Sequence, residues 1–424
     1  MKAGIGRMAI TPDTQPIRLA GYAIRTTPAT GVIHDLWAKA LMLEDGDGSR
    51  AVLITTDLLG LTREIIATVS ARLAAKHGLS RERICFNASH THSAPIVWPS
   101  LPACYNFTPE EMMHVVAQTR EMTERIIAAV DQAAADLKPA SLSFGRGTAG
   151  FAINRRKRAT APVDHEVPVL RIAAPDGTTR AVLFNYACHG TTLTGENLLV
   201  NGDYAGFAML ELERAFPGAT ALYVQGCAGD QNPDPRGTVE HARQHGRELA
   251  DAVQSVLAKP MKPVNGPLRT AFLETRLVFK PVHLEIFRQE LTGDNPYRRR
   301  RARLMLEAFN QGNPVVDIPY PVQALRLGRD FAILFLSGEV VVDYALRAKR
   351  DHPGTDLLVA GCSSEVQCYI PTARVLDEGG YEPDDSMIYY GQPGPFVPDV
   401  EATVCDAIAV ALRGIGLAPV SCIA

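Results

Sequence analysis

The chain has 424 residues, 46% hydrophobic and 21% charged, a composition that excludes disordered and fibrous classes and allows one large core or two modest ones. Its 43 basic and 46 acidic side chains leave a net charge of -3 with no footprint for a phosphate backbone, so nucleic acid is not an expected partner. Every apolar run is broken by charge or glycine well before about 18 residues, and the opening MKAGIGRMAITP has no secretory leader pattern; the expectation is a cytoplasmic protein without a membrane span.

The elements follow an α/β rhythm of mixed sheets with helices. AVLITTD (51–57) reads as a strand, followed by a helix near 61–77, the strand RICFNAS (83–89) and a long helix near 110–137. Strands then follow at SLSFGRG, VPVLRIAA and RAVLFNYA, a helix from Tyr204, the strand ATALYVQG and a helix over 239–257. The proline-containing KPMKPVNGP marks a possible subdivision near 258–267 of what is expected to be one catalytic domain over 1–424. Beyond it come a strand RTAFLETRLVF, a charged helix over 285–311, the strands PVQALRLG and FAILFLSG, a helix from Val340, the strand DLLVAGCS, a loop over 362–397 and a closing helix. A loop of that length reads as functional or mobile. The basic runs at 155–158 and Arg298 to Arg303 read as solvated faces, the second a helix side. Eight cysteines without a C-x-x-C pair fit reduced thiols.

Chemistry gathers at strand ends. In NASHTHSAP, the alternation of an extended chain would point His90 and His92 to one side, and imidazole is the commonest neutral ligand for zinc; satisfied structural histidines are the competing reading. AVLFNYACHGTT places His189 before Gly190, where backbone can approach closely. GCAGDQNP sets Asp230 and Asn232 in a glycine-rich turn. FLSGEVVVDYA sets Glu339 at a strand-to-helix junction, where an acidic residue can also be a helix N-terminal partner.

Taken in order, SHTHS, the AC-H-GT turn, NGDYAGFA, QGCAGDQNP, PVQALRLGRDFAILFLSGE and CYIPT resemble the signature segments of the neutral, non-lysosomal ceramidases, from GIGRMAITP to about residue 400. That resemblance implies a neutral-ceramidase-like catalytic domain with one Zn2+ per chain, bound by His90, His189, Glu339 and Tyr369. It makes His92 a catalytic partner and places Arg155, in INRR, at the site. Asp57 and Asp203 are expected to orient a ligand imidazole, Asp203 alternatively to cap its helix. Asn201, Asp230 and Asn232 are further candidates.

The pattern also departs from the family. Asn232 stands where ceramidases carry a serine in the G-D-x-S-P turn, so a mechanism through metal-activated water is implied. The family's C-terminal β-sandwich and secretion signal are not seen, and SAPIVWPSLPACYNF brings Trp98, Tyr105 and Phe107 to wall the pocket. The expected activity is hydrolysis of an amide (N-acyl) bond in a small soluble substrate, with Arg155 or Tyr369 supplying charge stabilisation. The alternatives are an ester, lactone or glycosidic linkage, a two-metal amidohydrolase using both histidines of H-x-H, or an inactive metabolite-binding protein. No oligomeric state is specified.

Overall fold

The computed structural model describes residues 1–156 and 161–418; Lys157, Arg158 and Cys422 lie outside the described residues. Two sheets stack face to face. The larger has nine strands in the order Leu268–Val278, Asp317–Leu327, Phe331–Ser337, Asp356–Ser363, Ile84–Ala88, Arg50–Thr56, Trp37–Glu44, Lys2–Ala9 and Lys138–Pro139. The smaller runs Thr220–Gln225, Thr179–Tyr186, Glu166–Ala173, Ser141–Thr148 and Lys262–Val264. The proline-containing segment near 258–267 therefore holds an edge strand of the smaller sheet, and the larger sheet draws strands from both sides of it.

These strands carry apolar residues on both faces because both faces are covered. Leu41, Leu43, Leu53, Leu170, Leu183, Leu222, Ile333 and Leu358 fill the space between the sheets. On the outside of the larger sheet, Met42, Val52 and Ile54 pack against Ile65 and Val69 of the helix Arg63–His77 and Ile126 and Val130 of Pro109–Ala135. Val182, Phe184 and Tyr223 of the smaller sheet pack against the helices Asp203–Ala215 and Val239–Leu257. Thr108 starts the long helix with a reciprocal capping pair to Glu111, and left-handed Gly78 stops the helix before it.

Two expected segments differ. The charged stretch over 285–311 is two helices, Leu284–Thr292 and Pro296–Asn310. The break falls at Gly293-Asp294-Asn295-Pro296, where Asn295 caps the second helix by accepting from Tyr297 N and Arg298 N, and Pro296 suits its first turn. The 362–397 loop contains a short strand, Tyr369–Ile370, and helical turns at Ala373–Glu378, Tyr381–Asp385 and Ser386–Tyr389. No helix among the described residues is long and apolar enough to cross a membrane, and the seven described cysteines are free thiols.

Strand direction decides where chemistry collects. Ile84–Ala88, Thr179–Tyr186, Thr220–Gln225, Phe331–Ser337 and Asp356–Ser363 each lead from their carboxyl ends into one of the motif segments. Asn87 stitches the two sheets together at that end: its side-chain amide donates to Gly361 O and Ser363 Oγ, and its Oδ1 accepts from Gln225 N.

Candidate metal centre

His90 lies just beyond its strand in the left-handed region, φ 59°, so the strand's alternation stops before it. The expectation that pleating aligns His90 with His92 is thus corrected. The imidazoles meet through a turn, fixed by a bridge between Thr91 and Gly190 and by His92 N donating to Gly190 O at 3.0 Å. Gly190 is required there, since a Cβ on it would sit 2.6 Å from His90 O. Glu339 and Tyr369 come side by side as register partners in a two-residue parallel ladder.

These residues converge. Glu339 Oε2 lies 3.1 Å from His90 Nε2 and 2.9 Å from His189 Nε2, Tyr369 Oη is 3.1 Å from His189 Nε2, and His92 Nε2 is 3.3 Å from His90 Nε2. Ligand atoms of His90, His92 and His189 all fall within 4.8 Å of one another. His90 Nδ1 meets Leu59 O at 2.6 Å, and His189 Nδ1 meets Ala228 O at 2.6 Å and Gln231 O at 3.1 Å. Carbonyls only accept, so each Nδ1 carries a proton and each ring turns its Nε2 toward Glu339. Lone pairs aimed at a buried carboxylate repel unless a cation or a proton lies between them, and this donor set fits a metal ion.

Without an ion the electrostatics put a proton in that place: burial opposes it, but Cys362 and Glu339 raise His90 well above its ordinary value. Burial alone would raise Glu339, but His90 and His189 hold its carboxyl well below the usual range. Burial and Arg155 push His189 down to about 4 against the pull of Glu339. Burial and the two neighbouring imidazoles hold His92 well below the ordinary value, hence neutral. Among the described residues His92 Nδ1 has no hydrogen-bond partner. His92 is therefore the one ring of the three with no carbonyl on Nδ1; its ring contact is with His90 Nε2.

The remaining sequence candidates divide. Asp57 accepts from Trp37 N at 2.9 Å, and Asp203 accepts from Leu193 N and Tyr204 N; neither holds an imidazole, because backbone carbonyls occupy both Nδ1 positions. Asp203 is also not the cap of its helix, a position taken by Gly202. Asn201 Oδ1 accepts from Asp203 N. Asp230 caps the helix Val342–Asp351 from outside, accepting from Val342 N, and its other oxygen accepts from Asn154 Nδ2. Arg155 donates to Glu382, Gly229 O and Asn232 Oδ1, and its guanidinium lies 5.4 Å from the Tyr369 ring and 5.4 Å from that of Tyr381.

Beside the convergent atoms lies a cavity of about 240 Å³, its floor made by His92, Glu339 and Tyr369. Leu101 and Cys104 line it from the 93–107 segment, whereas Trp98, Tyr105 and Phe107 do not. Phe107 meets Trp98 edge-on and Tyr105 at a tilt, and Tyr105 Oη accepts from Gly21 N. The aromatic walls are Tyr22, Tyr381, Tyr389 and Tyr390, and Tyr390 Oη donates to Glu339 Oε1. Sequence motifs passed over all four, which no local periodicity marks.

A family model for neutral/alkaline non-lysosomal ceramidases, N-terminal, matches residues 1–255. The chain belongs to this ceramidase family. A neutral ceramidase of Mycobacterium tuberculosis is 26% identical over 89% of this chain and 72% of its own length. One from Pseudomonas aeruginosa is 26% identical over 54% of this chain and 37% of its own, so several relatives extend well beyond what is matched here. The crystal structure of a Pseudomonas aeruginosa neutral ceramidase superposes with a TM-score of 0.77 at 20% identity, over 99% of this chain and 75% of that one. A ceramidase complexed with C2 gives 0.78 at 20% identity. At that identity the superpositions establish the fold of this ceramidase-family chain.

Proposed function

We propose that this chain is a zinc-dependent amide hydrolase, its 424 residues forming one catalytic unit that holds one Zn2+ through His90, His189, Glu339 and Tyr369. The supporting observation is the convergence of two Nε2 atoms, whose Nδ1 positions are occupied by carbonyls, on one buried carboxylate oxygen. Bound zinc in such a mixed nitrogen and oxygen set polarises a carbonyl and brings the pKa of water to near 7. Relatives named neutral ceramidases make an amide the first choice of bond.

The chain's own residues do the rest. The water oxygen bonds to the amide carbon, His92 accepts the water's proton at Nε2, the C–N bond breaks, and the proton passes to the leaving nitrogen. His92 suits this because it is neutral, faces the cavity and has no partner on Nδ1. Arg155 acts through Tyr369: its guanidinium, 5.4 Å from that ring, places fixed positive charge beside the phenol and the charge that develops on the carbonyl oxygen. Asn232 supports Arg155.

The test pairs elemental analysis of the purified protein with product analysis on amide, ester and lactone panels. About one zinc per chain with amide turnover is expected. Two metals per chain, or turnover of esters alone, would replace this reading.

A further inference from the structure

The basic run Arg298 to Arg303 has a place that a solvated face does not explain. Within Pro296–Asn310, Tyr297, Arg300 and Leu304 fall at helical spacing on one stripe. Tyr297 Oη donates to Ala23 O at 2.9 Å, and its ring meets that of Tyr389 edge-on at 5.2 Å. Arg300 donates to Ala103 O at 2.9 Å and Cys104 O at 3.1 Å. Leu304 abuts Gly391, where an added Cβ would stand 3.0 Å from Leu304 and 3.2 Å from Pro102. From its other side the helix is held by Arg298 and Arg301, both paired with Glu290 of the preceding helix.

Ala23, Cys104 and Tyr389 line the cavity, and so do Ile24 and Leu101 on the same two loops. One helix stripe therefore holds three separate walls without entering the cavity. Among the described residues no lysine or arginine lines it, and the one carboxylate there, Glu339, is already engaged by His90, His189 and Tyr390. A charged substrate group would be buried there unpaired. At about 240 Å³ the cavity is also smaller than the roughly 300–1,000 Å³ that takes a drug-sized ligand. Ile24 and Tyr381, exposed to 64% and 45%, give it an apolar rim.

We propose that the helix Pro296–Asn310 clamps the cavity walls through Tyr297 and Arg300, restricting the substrate to neutral amides with a short, apolar acyl group. This rests on the hydrolase reading above, and it makes Tyr297 and Arg300 positioning residues for specificity. The experiment compares kcat/KM of the zinc-loaded protein for straight-chain acyl anilides from acetyl to palmitoyl, with succinyl as a charged member. Calorimetric binding of the matching straight-chain primary amides provides a readout without turnover. Wild type is expected to prefer butanoyl to octanoyl, with palmitoyl and succinyl at least tenfold lower. Tyr297→Phe combined with Arg300→Met should raise the palmitoyl-to-butanoyl ratio at least fivefold at unchanged zinc content, and Leu101→Ala, which leaves the helix intact, should move it the same way. A wild-type preference for palmitoyl or succinyl overturns the proposal, as does a chain-length profile that neither variant moves. If no anilide is cleaved, tighter calorimetric binding of the short amides keeps the cavity assignment and removes the hydrolase reading, and tighter binding of the long ones removes the cavity assignment.

Discussion

The floor of the cavity and its walls are built by opposite means. At the metal centre beneath the floor, His90, His189 and Glu339 are more than nine-tenths buried; the two imidazoles donate to backbone carbonyls just past strand ends, and Glu339 accepts from Tyr390 of the wall. The walls are apolar side chains on loops, held from behind by a helix more than 190 residues away from one of them. Rigid, hydrogen-bonded geometry suits a metal and a reacting bond, which tolerate little displacement. Loop walls can be remade without disturbing that geometry. Changes on the floor should therefore abolish function, and changes behind the walls should redirect it.

The largest expected effect is that of His189→Ala: bound zinc below about a tenth of an equivalent by elemental analysis and no measurable turnover, because two of the donors would lose their common partner. A variant that keeps its zinc would show that His92 ligates in its place. His92→Ala should instead retain zinc and lose about 10²–10⁴-fold in kcat, the usual range for a general acid-base group. Loss of zinc along with turnover would move His92 into the ligand set and erase its distinction from the two rings with a carbonyl on Nδ1.

Asp57 tests the support beneath the floor and changes stability with a defined sign. Burial raises its carboxyl to about 6, with Lys39 opposing. The folded protein then holds a proton that the unfolded chain releases above about pH 4, so the stability it contributes is present at low pH and is lost as pH rises through 6. Asp57→Asn should accordingly be more stable than wild type at pH 7, by about 3 kcal/mol at most, with the difference vanishing near pH 4 in urea titrations. A variant less stable at both pH values would mean that the ionised carboxylate is needed for its bond to Trp37 N.

The smallest effect is that of Tyr390→Phe, which removes one donor from Glu339 Oε1 and should weaken zinc about 10–100-fold in a competition titration while the fold is kept. Unchanged affinity would show that the two imidazoles alone orient the carboxylate, and that the walls and floor share no residue of consequence.

The alternation of strands and helices, most element boundaries and the ceramidase segments could be read from the chain itself, because apolar periodicity and short motifs are local. His90, His189 and Glu339 each stand out beside a glycine or a strand end, whereas Tyr369 and the grouping of the four came only from the family resemblance. Tertiary structure decided the rest. The partners of the imidazoles turned out to be the carbonyls of Leu59 and Ala228, which every residue carries and no motif marks, and not the carboxylates of Asp57 and Asp203. The cavity walls came from Tyr22, Tyr389 and Tyr390, distant in sequence from one another and from the histidines. An arginine run that looks solvated by composition became a clamp because a second helix and two loops fold against it, and a charge pattern records how many charges a face carries but not what the chain later places opposite them.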